Sequence, residues 1–272
     1  MKKIAYLFII FISNFTFSQN ILEEITLPII INETSGLEYH DDHLITFNDS
    51  GNPPVLFYLN IKGEVISARN IKNAKNNDWE DITMDDEYLY IADIGNNYDT
   101  RKNLSIIKIH KNKNPDSFEL INFNYPEQKS FNYRKLSMFD AEGLISVDDY
   151  LLIFTKNRAE KITDIYKLPK IPGTYNAIKI GSINTESIIT GADFDKKTNL
   201  LALTSTINFN KYYLLIIDGF SLKKKNKYNI KKYEIPVGAT QVEAVKIINS
   251  STLWISSEDE INGRPKLYKI KI

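Results

Sequence analysis

Three glutamates occupy one position in three copies of a short motif: Glu80 in Trp79-Glu80-Asp81-Ile82, Glu142 in Ala141-Glu142-Gly143-Leu144, and Glu243 in Val242-Glu243-Ala244-Val245. Two further segments share the layout, Thr34-Ser35-Gly36-Leu37 and Gly191-Ala192-Asp193-Phe194, with Ser35 and Ala192 in the glutamate's place. Asp81 and Asp193 follow one residue later. If the repeats close around an axis, these carboxylates converge and repel one another. Raised pKa values, ordered water, a basic residue or a bound cation must then offset the repulsion. Calcium suits such a set best among metals, because it takes oxygen ligands in flexible number and no tetrad holds a histidine or cysteine. The expected metal ligands are therefore Glu80, Glu142, Glu243 and Asp193, with a solvated mouth lacking a specific ion as the alternative.

The tetrads need elements that bring them together. Their last residues lie 45, 62, 50 and 51 positions apart. Each tetrad leads into a polar turn (Asp41-Asp42, Asp85-Asp86, Asp148-Asp149, Lys196-Lys197, Asn249-Ser250) and then a short apolar run: Leu44 to Phe47, Tyr88 to Ala92, Tyr150 to Phe154, Leu200 to Leu203, Thr252 to Ile255. A third run follows in every unit, and a fourth in four of the five, such as Phe118 to Phe123 and Tyr233 to Val237. Short runs rich in Ile, Leu, Tyr and Phe between Asp, Asn, Lys and Gly turns are antiparallel strands. Four strands per unit at this period is the spacing of a β-propeller. The expected fold is all-β: a propeller of about five four-stranded blades. The last unit ends before a fourth strand, and Ile21 to Ile31 precedes the first tetrad, so the N-terminal strand is expected to close the last blade. Closure leaves no open sheet edge.

That geometry places the polar residues. The first strand of each blade lines the channel, and the end of the second lies beside the start of the first. The tetrads then ring one channel mouth. A second ring outside them carries Asp49, Asp93 and Glu258, with Thr155-Lys156 and Ser205 in the remaining blades. Other features carry less. His40-Asp41-Asp42-His43 falls in a hairpin turn, where a solvated surface is expected. Asp93-Ile94-Gly95-Asn96-Asn97 has no glutamate at the distance a calcium loop requires, and a turn is expected. The lysines from Lys223 to Lys232 suit a solvated hairpin. Trp79 suits either a channel cap or the core. No nucleophile elbow, Walker loop or dinucleotide fingerprint is present.

Composition bounds the rest. The 272 residues balance 34 basic against 34 acidic side chains, so no global field draws the chain to nucleic acid or an anionic membrane. There is no cysteine, which excludes thiol chemistry, disulfides and zinc–thiolate sites. Lys2-Lys3, the apolar Ile4 to Ile12, and Thr16-Phe17-Ser18 form a basic, apolar and small-residue order expected of a cleaved secretory leader over residues 1–18. That run is too short for a bilayer, which takes about 20 residues, and no second long apolar segment follows. A single domain over 19–272, periplasmic or secreted, is expected.

Ser35-Gly36-Leu37, Glu142-Gly143-Leu144, Glu80-Asp81-Ile82, Glu243-Ala244-Val245 and Ser257-Glu258 resemble the motifs of the SdiA-regulated family of bacterial propellers, distant relatives of NHL-repeat proteins. The resemblance covers nearly all of the mature chain. It implies a five-bladed propeller with calcium in the channel region and Glu80, Glu142 and Glu243 at the motif glutamates. Asp81 and Ala244 depart from the motif glycine, and Thr190-Gly191-Ala192-Asp193 from Ser-Gly-Leu. Two functions follow as expectations. One is an envelope module binding a small molecule or an envelope protein. The other is a metal-dependent hydrolase similar to lactonase or phytase propellers, with Asp193, Asp49 or Glu258 as base and no residue singled out as catalytic.

Overall fold

The computed structural model describes residues 20–111, 117–222, 228–238, 240–258 and 264–272. The expected leader and Lys223 to Lys225 lie outside them. β1 (Asn20–Thr26) and a short 3-10 turn (Ile29–Ile31) precede the first blade. Blade one is β2 (Thr34–His40), β3 (His43–Asn48), β4 (Val55–Leu59) and β5 (Val65–Asn70). Blade two is β6 (Trp79–Met84), β7 (Tyr88–Asp93), β8 (Leu104–His110) and β9 (Glu119–Asn124). Blade three is β10 (Ala141–Val147), β11 (Tyr150–Thr155) and β12 (Ile162–Pro169). It continues through β13 (Gly173–Asn176) to β14 (Ile178–Asn184). Blade four is β15 (Ile188–Asp195), β16 (Leu200–Ile207), β17 (Lys211–Ile217) and β18 (Ile230–Ile235). Blade five is β19 (Gln241–Asn249), β20 (Thr252–Glu258) and β21 (Lys266–Lys271), completed by β1. Among the described residues, no helix is long and apolar enough to cross a membrane.

The five-bladed propeller is thus the observed fold. Polar turn residues set the hairpins: Asp41 (φ 48°) and Asp42 (φ 63°) fill the two-residue turn between β2 and β3 with left-handed backbone that suits strand twist. The His40–His43 segment is this exposed turn, with His43 Nδ1 2.5 Å from the Asp41 carbonyl. Inner strands β2, β6, β10, β15 and β19 adjoin in a closed ring. They are largely buried, whereas β5 on the rim is largely exposed. Five apolar clusters fill the five blade interfaces. Trp79 belongs to the one between blades one and two, edge-on to Phe47 at 5.4 Å, and is core rather than a channel cap.

β1 runs antiparallel to β21, from Asn20 opposite Lys271 to Thr26 opposite Lys266. Leu27 and Ile31, just after it, enter the cluster between blades five and one. Strand β13 leaves blade three and pairs in parallel with β9, Gly173 opposite Ile121, giving blade two a fifth strand. Sequence patterning did not anticipate this clasp.

The repeat register differs from the sequence expectation in blade four. Inner strands carry a bulge at Glu80, Glu142 and Glu243, and the matching bulge in blade four falls at Thr190, not Ala192. Asp193 is therefore equivalent to Glu38 and Lys246, opposite Ala202, Ile45 and Trp254 of the second strands. Gly191-Ala192 imitates the small and apolar pattern of the motif, which is why the sequence alignment slips by two.

Candidate functional site at the channel mouth

A bulge turns its extra residue out of the regular alternation. At Glu80, Glu142 and Glu243 this aims a carboxylate toward the channel mouth rather than into a blade interface. All three line one cavity of about 250 Å³, together with Asp49, Glu258 and Lys156. At its wall two carboxylate triads form, Asp49/Asp78/Glu80 and Glu80/Asp140/Glu142, each with oxygens within 4.8 Å of one another; Asp78 and Asp140 stand behind the lining residues. Glu80 belongs to both. The cluster spans blades one to three.

Loop contacts hold these groups in place. Asn76 Nδ2 donates to the Asn48 and Asp49 carbonyls at 2.8 Å each, docking the segment before β6 on the end of β3. Asp93 accepts from the Asp78 backbone N–H at 3.0 Å and from Asn77 Nδ2 at 2.5 Å, and pairs with Arg101 at 2.7 Å. Asp93 thus positions Asp78 rather than adding a ligand. The Ser35 hydroxyl donates to the Glu80 carbonyl at 2.8 Å, tying blade one to blade two. A Cβ at Gly95 would overlap Glu80 Oε1 and Asp78 Oδ2, so any other residue there would displace these two carboxylates.

The two halves of the cluster differ in charge balance. Lys156 pairs with Glu142, and Arg158 with Asp140. Asp140 also accepts from the Asn96 N–H at 2.6 Å. In the other half, the nearest cation among the described residues to Asp78 is Arg101 Nη1, at 3.9 Å, and Lys156 acts on Asp49 only electrostatically. Glu80 is 6% exposed, and its carboxylate accepts no hydrogen bond from a described residue. Burial pushes Glu80 well above the usual carboxylate range, and its neighbours Glu142, Asp49 and Asp78 push it further. Burial likewise raises Asp49 to about 6. It raises Asp78 to about 7, with Asp49 and Asp140 adding repulsion. Glu243 is raised by burial and by Glu142. Burial also raises Glu142, against the pull of Lys156. Burial alone would lower Lys156, but Glu142 and Glu243 hold it above the ordinary lysine value.

The structure brings Glu80 and Glu142 together and puts Glu243, Asp49 and Glu258 in the same cavity. It does not bring Asp193 there. Asp193 lies three residues beyond the bulge, roughly 10 Å deeper at about 3.3 Å per residue. There it pairs with Lys246 at 2.9 Å and accepts the Ile247 N–H at 2.7 Å, with Glu38 on the same lysine. Between the two layers, Asp81 takes the motif glycine's place. Its carboxylate accepts N–H groups of Ile82 and Leu144 at 2.8 Å and of Ala192 at 3.3 Å, joining blades two, three and four.

Sequence reasoning missed Asp78 and Asp140. Both stand two residues before a motif glutamate, in Asp78-Trp79-Glu80 and Asp140-Ala141-Glu142, with Gln241-Val242-Glu243 in blade five. That repeated acid at the second preceding position was the available signal. Asp93 to Asn97 is not the expected turn: Asp93 ends β7, Ile94 to Asn96 are buried irregular backbone, and the turn falls at Asn97 and Tyr98, where Asn97 reaches the cavity wall.

No protein-family model matches the chain, and no curated protein matches it. Among solved structures, the PQQ-bound aldose sugar dehydrogenase of Streptomyces coelicolor is similar with a TM-score of 0.51 and 8% identity, over 93% of this chain and 98% of that one. YCF48 from Cyanidioschyzon merolae aligns with a TM-score of 0.44 and 9% identity, over 90% of this chain and 98% of that one. At such identity the first likeness is one of fold alone.

Proposed function

We propose that the protein is an exported calcium-binding propeller, a binding module of the cell envelope whose channel mouth holds one divalent cation on Asp49, Asp78 and Glu80. The observation that carries this is Glu80: a carboxylate 6% exposed, accepting no hydrogen bond from a described residue, shared by two acidic triads. A buried carboxylate in that position is stabilised by taking up a proton or a cation, and a divalent ion satisfies three groups at once. Hard oxygen ligands in an irregular set favour calcium. Lys156 and Arg158 already neutralise the Glu142 and Asp140 side, which favours the Asp49, Asp78 and Glu80 triad of blades one and two as the ion's ligands. The motif resemblance to the SdiA-regulated propellers supports the same ion, and membership of that family is part of this proposal. Export rests on the order of the first 18 residues.

One observation favours the metal-dependent hydrolase as a second reading. The acidic cluster opens on the cavity instead of being sealed by protein, so an ion there keeps a coordination position for a ligand. Calorimetric titration of the mature protein with calcium tests the ion. One site lost in Asp49→Asn and Glu80→Gln supports it, and the absence of binding at millimolar calcium refutes it. A screen of lactones, phosphomonoesters and carboxylic esters, with and without calcium, separates the module from the hydrolase.

A further inference from the structure

We infer that the channel mouth and the rim cavity beside it form one composite site for a neutral polyol carrying an apolar substituent, of which an aryl or short-alkyl glycoside is the simplest example. This deepens the ion reading and rests on it. The rim cavity, about 200 Å³, is lined by Leu136, Ile188, Ile207 and Lys161 and shares Arg158 and Phe209 with the mouth. Neither cavity alone reaches the range of about 300–1,000 Å³ usual for ligand pockets, whereas the two joined do.

The chemistry of each half selects its share of the ligand. The mouth presents acceptors: Asp49, Glu80, Glu142, Glu243 and Glu258. Its cations are committed. Lys156 sits on Glu142, and Arg158 bonds Asp140, Ser137 Oγ at 2.9 Å and Asn97 Oδ1 at 2.7 Å. Among the described residues, one buried acceptor of the mouth awaits a donor: Glu142 Oε2, which has no hydrogen-bond partner there. Even with one divalent ion, the carboxylates Asp49, Asp78, Glu80, Asp140, Glu142 and Glu243 outnumber the charges of the ion and of the described cations Lys156 and Arg158. An anionic ligand is repelled, whereas hydroxyl groups donate to the carboxylates and offer neutral oxygens to the ion. The rim half is apolar and open: Leu136 is 55% exposed and Phe209 49%. Phe209 stands in the turn 208–210 at φ 55°, left-handed backbone that favours glycine, so an exposed aromatic ring is held there against local preference. Such a ring suits the C–H face of a sugar or an aryl substituent.

The test uses calcium-loaded mature protein titrated with phenyl glucoside, 1-octanoylglycerol, glucose and phenyl phosphate. Phenyl glucoside or 1-octanoylglycerol, whichever source supplies the polyol, should bind at least about 10-fold more tightly than glucose, and phenyl phosphate should not bind. Phe209→Ala and Leu136→Ser, both at exposed positions, should weaken the polyol about 10-fold and leave calcium affinity within about 2-fold. Calcium binding without polyol binding, or variants that bind the polyol as wild type does, overturns the composite site and leaves the ion reading standing. Polyol binding retained in chelator supports the composite site and removes the ion from it. Equal binding of phenyl phosphate overturns the charge argument.

Discussion

Replacing Glu80 by Gln should have opposite effects on stability with and without calcium. Oxygens of Asp49 and Asp78 lie within 4.8 Å of a Glu80 oxygen. At an effective dielectric of ~20, two charges at that separation repel by about 3.5 kcal/mol. Proton uptake by the cluster relieves part of this, so the metal-free variant should gain about 2–3 kcal/mol near pH 8, or roughly 4–6 °C in Tm for a chain of this size. The wild type should gain about 2.7 kcal/mol from calcium at 100-fold above its dissociation constant, a comparable shift upward. The variant forfeits most of that gain, because a neutral amide is a weaker ligand for the ion. Differential scanning calorimetry of both proteins in chelator and in calcium reads the crossing directly. A substitution that shifts Tm by the same amount in both conditions would mean that Glu80 acts through packing alone, and the electrostatic reasoning would fail.

Acidity should compete with the ion: Asp49 at about 6 and Asp78 at about 7 lie above their unfolded values of about 3.9. The folded state therefore holds extra protons, so metal-free stability from these groups should fall as pH rises from about 4 to 7, and calcium affinity should rise about 100-fold between about pH 5.5 and 7.5; a flat calorimetric affinity over that range refutes it. Lys156→Met strips the buried Glu142 of its partner and should cost about 3–5 kcal/mol in chelator by urea denaturation, with calcium restoring part; a neutral effect would show that Lys156 is not the counter-ion. Deleting residues 20–31 exposes the edge of β21 and removes Leu27 and Ile31 from their cluster, at about 2–5 kcal/mol for each lost apolar side chain; an unchanged Tm with no aggregation would show that closure is dispensable.

The propeller was legible because its signals are local and repeated. Asp-Asp turns, short Ile- and Tyr-rich strands and the unpaired N-terminal run each indicate the same architecture, and the strands fall where those runs stand. The glutamates were legible for the same reason. Asp78 and Asp140 were not, because they sit in the segments before the inner strands, where only cross-blade bonds such as Asn76 to Asp49 and Asn96 to Asp140 bring them to the mouth. Blade four misled because Gly191-Ala192 satisfies the motif pattern while the bulge falls at Thr190. Asp193 thereby moved from an expected metal ligand to the deep ion pair with Lys246. Repeat spacing put Lys156 in the outer ring, but its pairing with Glu142 depends on side-chain approach between neighbouring strands, which spacing does not encode.

Anomalous diffraction from crystals of the mature protein grown in calcium tests the central claim most directly. The account predicts a single strong peak at the channel mouth, about 2.3–2.6 Å from oxygens of Asp49, Asp78 and Glu80, and its loss in Glu80→Gln. A mouth without a peak at saturating calcium, or a peak found only elsewhere on the surface, would contradict it.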